Sequence, residues 1–148
     1  MLAPIVGQPI QRFSQSDLTD KCGWILKRLV AKYPNKDERG WANWLRAMCD
    51  RNDCLFLSQP HGVALAEVVQ VGTLDAKRVV HERFVWCEDR QNPNQVEAAA
   101  NFYDEFHRWT ASLGIDELVI AKDTDVPVEM IRAKLGKIHL TETRHVKV

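Results

Sequence analysis

Two glutamates and a histidine stand where an ionisable side chain could exchange protons with a ligand. Glu82 lies in the alternating run 76–87, which reads as a long strand, and its predicted face is shared with Val80, Phe84 and Trp86. A carboxylate on a partly buried face has its pKa raised, which suits proton transfer near neutrality. Glu67, on the preceding predicted strand 63–71, is the second candidate. For both, the plainer alternative is a cross-strand ion pair with Lys77, Arg78 or Arg83, the commoner use of charges on paired strands. His81 titrates in a useful range but alternates to the face opposite Glu82. His61 sits in a turn, His107 lies mid-helix, and His139 and His145 fall in no pattern. Cys22, Cys49, Cys54 and Cys87 lack a Cys-x-x-Cys pair, so no metal site is expected. They read as reduced, buried small hydrophobes.

The elements that must position these groups centre on residues 83–121. A strand ends at Cys87, a polar loop covers 88–94, a helix runs from about 95 to 113, and a short apolar strand follows at 118–121. Ala98, Phe102, Phe106, Trp109 and Leu113 recur at helical spacing, and Gly114 stands where a left-handed C-terminal cap belongs. Such a crossover makes its two strands parallel neighbours, and ligands in such sheets bind beyond the carboxyl ends of the strands. The loop after Cys87 is therefore the first place to look for a binding site.

Before this unit, residues 10–13 read as a short strand. Ser14, Ser16 and Asp17 are N-cap candidates for a helix carrying Leu18, Cys22, Ile25 and Leu29 on one face, ended by Tyr33-Pro34. After a polar connection at 36–40, a second helix carries Trp41, Trp44, Leu45 and Met48, with both tryptophans expected in the core. Residues 54–58 and 63–71 form a hairpin through Gln59-Pro60-His61-Gly62, and 76–87 is the third strand of the meander. A short helix at 126–135 and an extended segment at 137–148 close the chain. The plan is α+β: a mixed, mostly antiparallel sheet with helices on both faces and one parallel strand-helix-strand crossover.

A chain of 148 residues is read as a single domain, 1–148. Twenty basic and twenty acidic residues cancel, so no dominant nucleic-acid or membrane footprint is expected. No apolar run is long enough to span a bilayer, and the start lacks the features of a signal peptide, which points to the cytoplasm. A homo-oligomer is compatible with the sequence.

The element order resembles the GNAT superfamily of N-acetyltransferases over most of the chain. Val85-Trp86-Cys87-Glu88-Asp89-Arg90-Gln91 resembles the family's Val-x-Pro-Glu-x-Arg-Gly, keeping valine, glutamate and arginine, with cysteine for proline and glutamine for glycine. Ile131-Arg132-Ala133-Lys134-Leu135-Gly136 resembles the family's closing Tyr-x-Lys-x-Gly, with Arg132 at the tyrosine position. The family's glycine motif at the start of the central helix has no counterpart, since residues 90–100 contain no glycine. One register places Glu97 and Ala99 on the glycine positions; a one-residue shift places alanines on both.

The resemblance implies acetyl-CoA or another acyl-CoA bound between the fourth and fifth strands, with its pyrophosphate on helix amides. On that reading Val85, Arg90, Gln91, Asn94, Gln95 and Ala99 bind the cofactor, with Asn92 assisting. Glu82 or Glu67 takes a proton from a small-molecule or protein amine acceptor. Arg132 cannot supply a proton as a tyrosine would, and Tyr103, on the central helix, is not expected to replace it. The alternative is a GNAT-fold binding or structural module without transferase chemistry. Short, divergent chains of this kind are also similar to ones carried by bacteriophages, which implies an accessory or virion-associated role. An unrelated α+β binding domain is the third reading.

Overall fold

The computed structural model describes residues 9–72, 74, 76–120 and 123–135, and the backbone of 144–147. The order is β1 (Gln11–Arg12), α1 (Gln15–Lys32), α2 (Glu38–Asp50), β2 (Cys54–Gln59), β3 (Gly62–Val71) and β4 (Lys77–Cys87). Then come α3 (Pro93–Ala100), α4 (Phe102–Ser112), β5 (Glu117–Ile120), α5 (Val128–Leu135) and β6 (Arg144–Lys147). The six strands lie in sequence order in one sheet, antiparallel throughout except for β4 and β5, which run parallel. This is the expected α+β plan. Of the expected closing segment 137–148, the described part is β6 and the rest lies outside the described residues.

Each face of the sheet has its own core. Helices α1 and α2 bury Leu18, Ile25, Leu29, Trp41, Leu45 and Met48 against Phe56, Leu65, Phe84 and Trp86. On the other face α3, α4 and α5 bury Ala99, Phe102, Tyr103, Phe106 and Ile131 against Ala64, Val80, Val85 and Leu118. A mixed sheet buried on both sides needs apolar residues at both phases of its central strands, which β3 and β4 supply.

Local chemistry sets the helix ends. The Asp17 carboxylate accepts from the Ser14 N–H at 2.8 Å, closing the first turn of α1. Asp37 accepts from the Gly40 N–H at 2.8 Å, so α2 begins inside the stretch expected to be a connection. Asn92 caps α3 by accepting from Asn94 N–H at 3.0 Å, and Pro93 takes the first helical position, so this helix also starts earlier than expected. Gly114, at φ +69°, ends α4 as foreseen, with Ile115 N–H returning to Thr110 O at 3.2 Å.

The single helix expected over 95–113 is two segments. At Asn101 the bonds tighten to three-residue spacing, from Asn101 N–H to Ala98 O at 3.1 Å and from Asp104 N–H to Asn101 O at 3.2 Å. Beyond that point the buried stripe is Phe102, Tyr103, Phe106 and Thr110; Trp109 is half-buried and Leu113 exposed. Trp44 likewise departs from the core reading: Trp41 is buried, whereas Trp44 is half-buried.

Candidate active site

Strand β4 carries a bulge at its centre. Leu65 pairs with Phe84 and Ala66 with Glu82, so Arg83 is an additional residue with no partner position on β3. The alternation therefore changes phase within the strand. Val80, Val85 and Cys87 face α3 and α4, whereas Phe84 and Trp86 face α1 and α2. Glu82 accordingly does not share a face with Phe84 and Trp86, as simple alternation predicts. It is fully buried, and its carboxylate accepts a short hydrogen bond from the Tyr103 hydroxyl. Tyr103 also meets the Thr124 hydroxyl at 2.7 Å. Tyr103, discounted in the sequence because it sits on the central helix, is thus brought to Glu82 by the shift of stripe at Asn101.

Glu67 is held by ion pairs. It is half-buried and ion-paired with Arg51 at 3.2 Å and closely with Arg83, the cross-strand pairing weighed as its alternative. The His81 ring lies 2.7 Å from the Glu82 carbonyl, and His61 faces Glu88 at 3.1 Å. His107 is half-buried on α4, and Arg132 is exposed on α5. His139 lies outside the described residues, and of His145 only its backbone pairing with Val119 is described. Among the described residues no cluster of His, Cys, Asp or Glu could hold a metal ion, and no helix is long and apolar enough to cross a membrane.

The parallel strands β4 and β5 stay together only briefly. They pair at Val80 with Leu118 and at His81 with Val119. Among the described residues, the next pairing is an isolated parallel bridge between Val85 and Thr124.

No protein-family model matches the sequence, and no curated protein matches it significantly. Solved structures do match in fold. The aminoglycoside antibiotic 6'-N-acetyltransferase AAC(6')-IG from Acinetobacter haemolyticus superposes with a TM-score of 0.61 at 14% identity, over 90% of this chain and 92% of that one. AAC(6')-Ih from Acinetobacter baumannii gives 0.59 at 17% identity over the same shares, 90% and 92%. An acetyltransferase from Vibrio fischeri gives 0.57 at 10%, over 80% of this chain and 98% of that one. The chain has the GNAT fold. At these identities the likeness extends to the fold and not to the chemistry.

In this GNAT-fold chain, backbone atoms at the end of β4 and the start of α3 are largely bonded within the chain. Val85 N–H donates to Asp123 O at 3.3 Å, and Val85 O accepts from Asp125 N–H at 2.9 Å. At the start of α3, Asp89 N–H donates to Gln95 Oε1 at 2.7 Å, Gln91 N–H to Asp89 Oδ1 at 3.0 Å, and Asn94 N–H to Asn92 Oδ1 at 3.0 Å. The amides of Glu88, Asn92, Gln95 and Val96 donate to backbone carbonyls. Pro93 has no N–H to offer. Arg90, Gln91 and Asn94 are exposed and Gln95 is half-buried, whereas Ala99 is fully buried in the core. A pyrophosphate bound to helix amides needs donors pointing outward. Here the loop's own Asp89, Asn92 and Gln95 side chains take that place, so the residues present do not fit the group.

A cavity of about 540 Å³ opens on the opposite side of β4, between α1, α2 and the sheet. Tyr33, Trp41, Trp44 and Phe84 form aromatic walls, and the acidic residues Glu67 and Asp123 line it together with Arg83. Trp41 and Trp44 meet edge to face, with ring centroids 5.3 Å apart. Asp123 accepts from Lys32 at 2.5 Å, the Tyr33 hydroxyl at 2.7 Å and Trp86 Nε1 at 2.8 Å. Burial, reinforced by the Asp123 carboxylate, pushes the Tyr33 hydroxyl up to about 12. The cavity residues from α1 and α2 come from amphipathic stripes whose outer members the sequence assigned to the core. Asp123 lies between two elements in a stretch of polar residues, so only the tertiary fold identifies it.

Proposed function

We propose that this chain is a GNAT-fold binding module for a small organic amine, held in the cavity between α1, α2 and β4. The observation that carries the reading is the lining: four aromatic residues with the acidic Glu67 and Asp123 around about 540 Å³. That volume lies within the range of small-molecule sites. Aromatic faces attract an ammonium group through their quadrupoles, and carboxylates supply the ion pair. The lining already attracts cations: Lys36 Nζ lies 5.5 Å from the Trp41 ring centroid.

A second reading is acyl transfer to that amine. The fold neighbours named as acetyltransferases support this reading.

A thermal-shift titration with spermidine, putrescine and an aminoglycoside tests the first reading. At least one should raise the melting temperature, and Trp44→Ala should abolish the rise. No shift with any of them, in protein shown to be folded, overturns it. Thiol release from acetyl-CoA in the presence of the amine that binds would establish the second reading instead.

A further inference from the structure

The segment after β5 behaves as an extra strand laid along the open edge of β4. Its bonds to Val85 are those of a parallel ladder. The Asp125 carboxylate extends the same track, accepting from Cys87 N–H at 3.0 Å. The amides of Val85 and Cys87, two residues apart on one edge, are therefore both satisfied from within the chain. Burial, with the Asp125 carboxylate next to it, pushes the Cys87 thiol up to about 11, so this edge presents no ready thiolate either.

Side chains on both faces hold this segment in place. From α1, Arg28 Nη1 pairs with Asp125 Oδ2 at 2.5 Å while Nη2 donates to Cys87 O at 3.2 Å, bridging strap and strand. The Asp125 side chain is only 6% exposed. Lys32, Tyr33 and Trp86 converge on Asp123 on the same side. From α4, the Tyr103 hydroxyl meets Thr124 on the other side, and Thr124 Oγ1 accepts from Val126 N–H at 3.2 Å. Each of the three residues is thus anchored by a side chain from a different part of the fold. An exposed loop carries no such set of partners.

We infer that Asp123–Thr124–Asp125 is a strap with which the chain closes its own groove between β4 and β5, latched by Arg28, so that the native protein admits no acyl-CoA there. The self-capped start of α3 is an independent observation pointing the same way. An acyl-CoA chain entering this groove would have to break both Val85 bonds and release the buried Arg28–Asp125 pair. Leaving one member of such a pair buried without its partner is costly.

Amide hydrogen exchange with and without millimolar acetyl-CoA, alongside a thermal-shift titration, tests the inference. In the native protein Val85, Cys87 and Asp125 should exchange slowly, as core amides do, and acetyl-CoA should change neither exchange nor melting temperature. Arg28→Ala should speed exchange of these three amides by about tenfold or more, while β2 and β3 amides hold their rates. Should that variant fail to fold, Asp125→Asn keeps the side-chain shape and weakens the same latch. Protection or a thermal shift on adding acetyl-CoA overturns the closed groove. So do loop-like exchange rates at the three amides, and a folded latch variant with unchanged rates overturns the role of Arg28. The amine cavity lies on the other side of β4, so its own titration succeeds or fails separately.

Discussion

The hydroxyl of Tyr103 donates to the carboxylate of Glu82 between the sheet and α4, in a place that water does not reach. Glu82 keeps the face of Val80 toward α4 while the bulge at Arg83 sends Phe84 and Trp86 to the other face, and the tightened turn at Asn101 brings Tyr103 toward the sheet. Tyr103→Phe removes the donor and keeps the ring. Leaving a buried polar group without its hydrogen-bond partner costs about 1–3 kcal/mol, so the variant should lose that much stability in urea denaturation. A loss near zero would mean that the carboxylate does not depend on Tyr103.

Burial along α4 predicts an order among its aromatic residues. Phe106 is fully buried, and Phe106→Ala should cost about 3–5 kcal/mol, as large deletions in cores do. Trp109 packs only partly against the same core, so Trp109→Ala should cost less despite the larger side chain. Denaturant midpoints of the two variants, measured side by side, check the order. Equal costs would place Trp109 deeper than it lies.

The legible parts of this fold are those set by neighbours in sequence. Ser14 with Asp17, Tyr33 before Pro34, and Gly114 mark helix ends through contacts a few residues long. The hairpin at Pro60 and the parallel crossover follow from local turn chemistry and from element order. The bulge at Arg83 is different, because the additional residue exists only relative to the register of β3. Without that register, alternation puts Glu82 beside Phe84 and Trp86, the wrong pair of neighbours. The strap was equally hidden. Asp123-Thr124-Asp125 has the composition of a loop, and its partners Arg28, Lys32 and Tyr33 lie about ninety residues earlier. Glycine absence at the start of α3 was visible, and the structure adds that the loop's own side chains fill the amides.

Asp17 predicts the acid limb of stability. Burial alone would raise its carboxyl, but bonds from Lys21 at 2.7 Å, Ser14 N–H at 2.8 Å and Ser58 at 2.9 Å outweigh that, and its pKa is lowered. A carboxyl lowered on folding stabilises the native state above its unfolded pKa, and the contribution fades as pH falls through the folded value. Asp17→Asn should lower the melting temperature at neutral pH and flatten its decline below the ordinary carboxylate range. An unchanged acid profile would show that these bonds do not favour the charged form.

Tyr33 makes the opposite prediction at the alkaline end. Its hydroxyl is pushed from 10.0 up to about 12, first by burial and then by its hydrogen bond to Asp123, which would be lost on ionisation. The folded protein therefore keeps a proton that the unfolded chain releases. A group with this sign contributes stability fully below its unfolded pKa and loses it as pH rises toward the folded value. The window runs from about 10 to about 12. Native stability should fall across it, and Tyr33→Phe, which keeps the ring against Trp41 and has no proton to lose, should fall less steeply. The contact at stake also anchors the strap, since the same hydroxyl reaches Asp123 at 2.7 Å. Urea midpoints taken at steps of pH through the window, for the native protein and the variant, provide the check. Parallel slopes would remove Tyr33 from the alkaline transition and leave Asp123 held by Lys32 and Trp86.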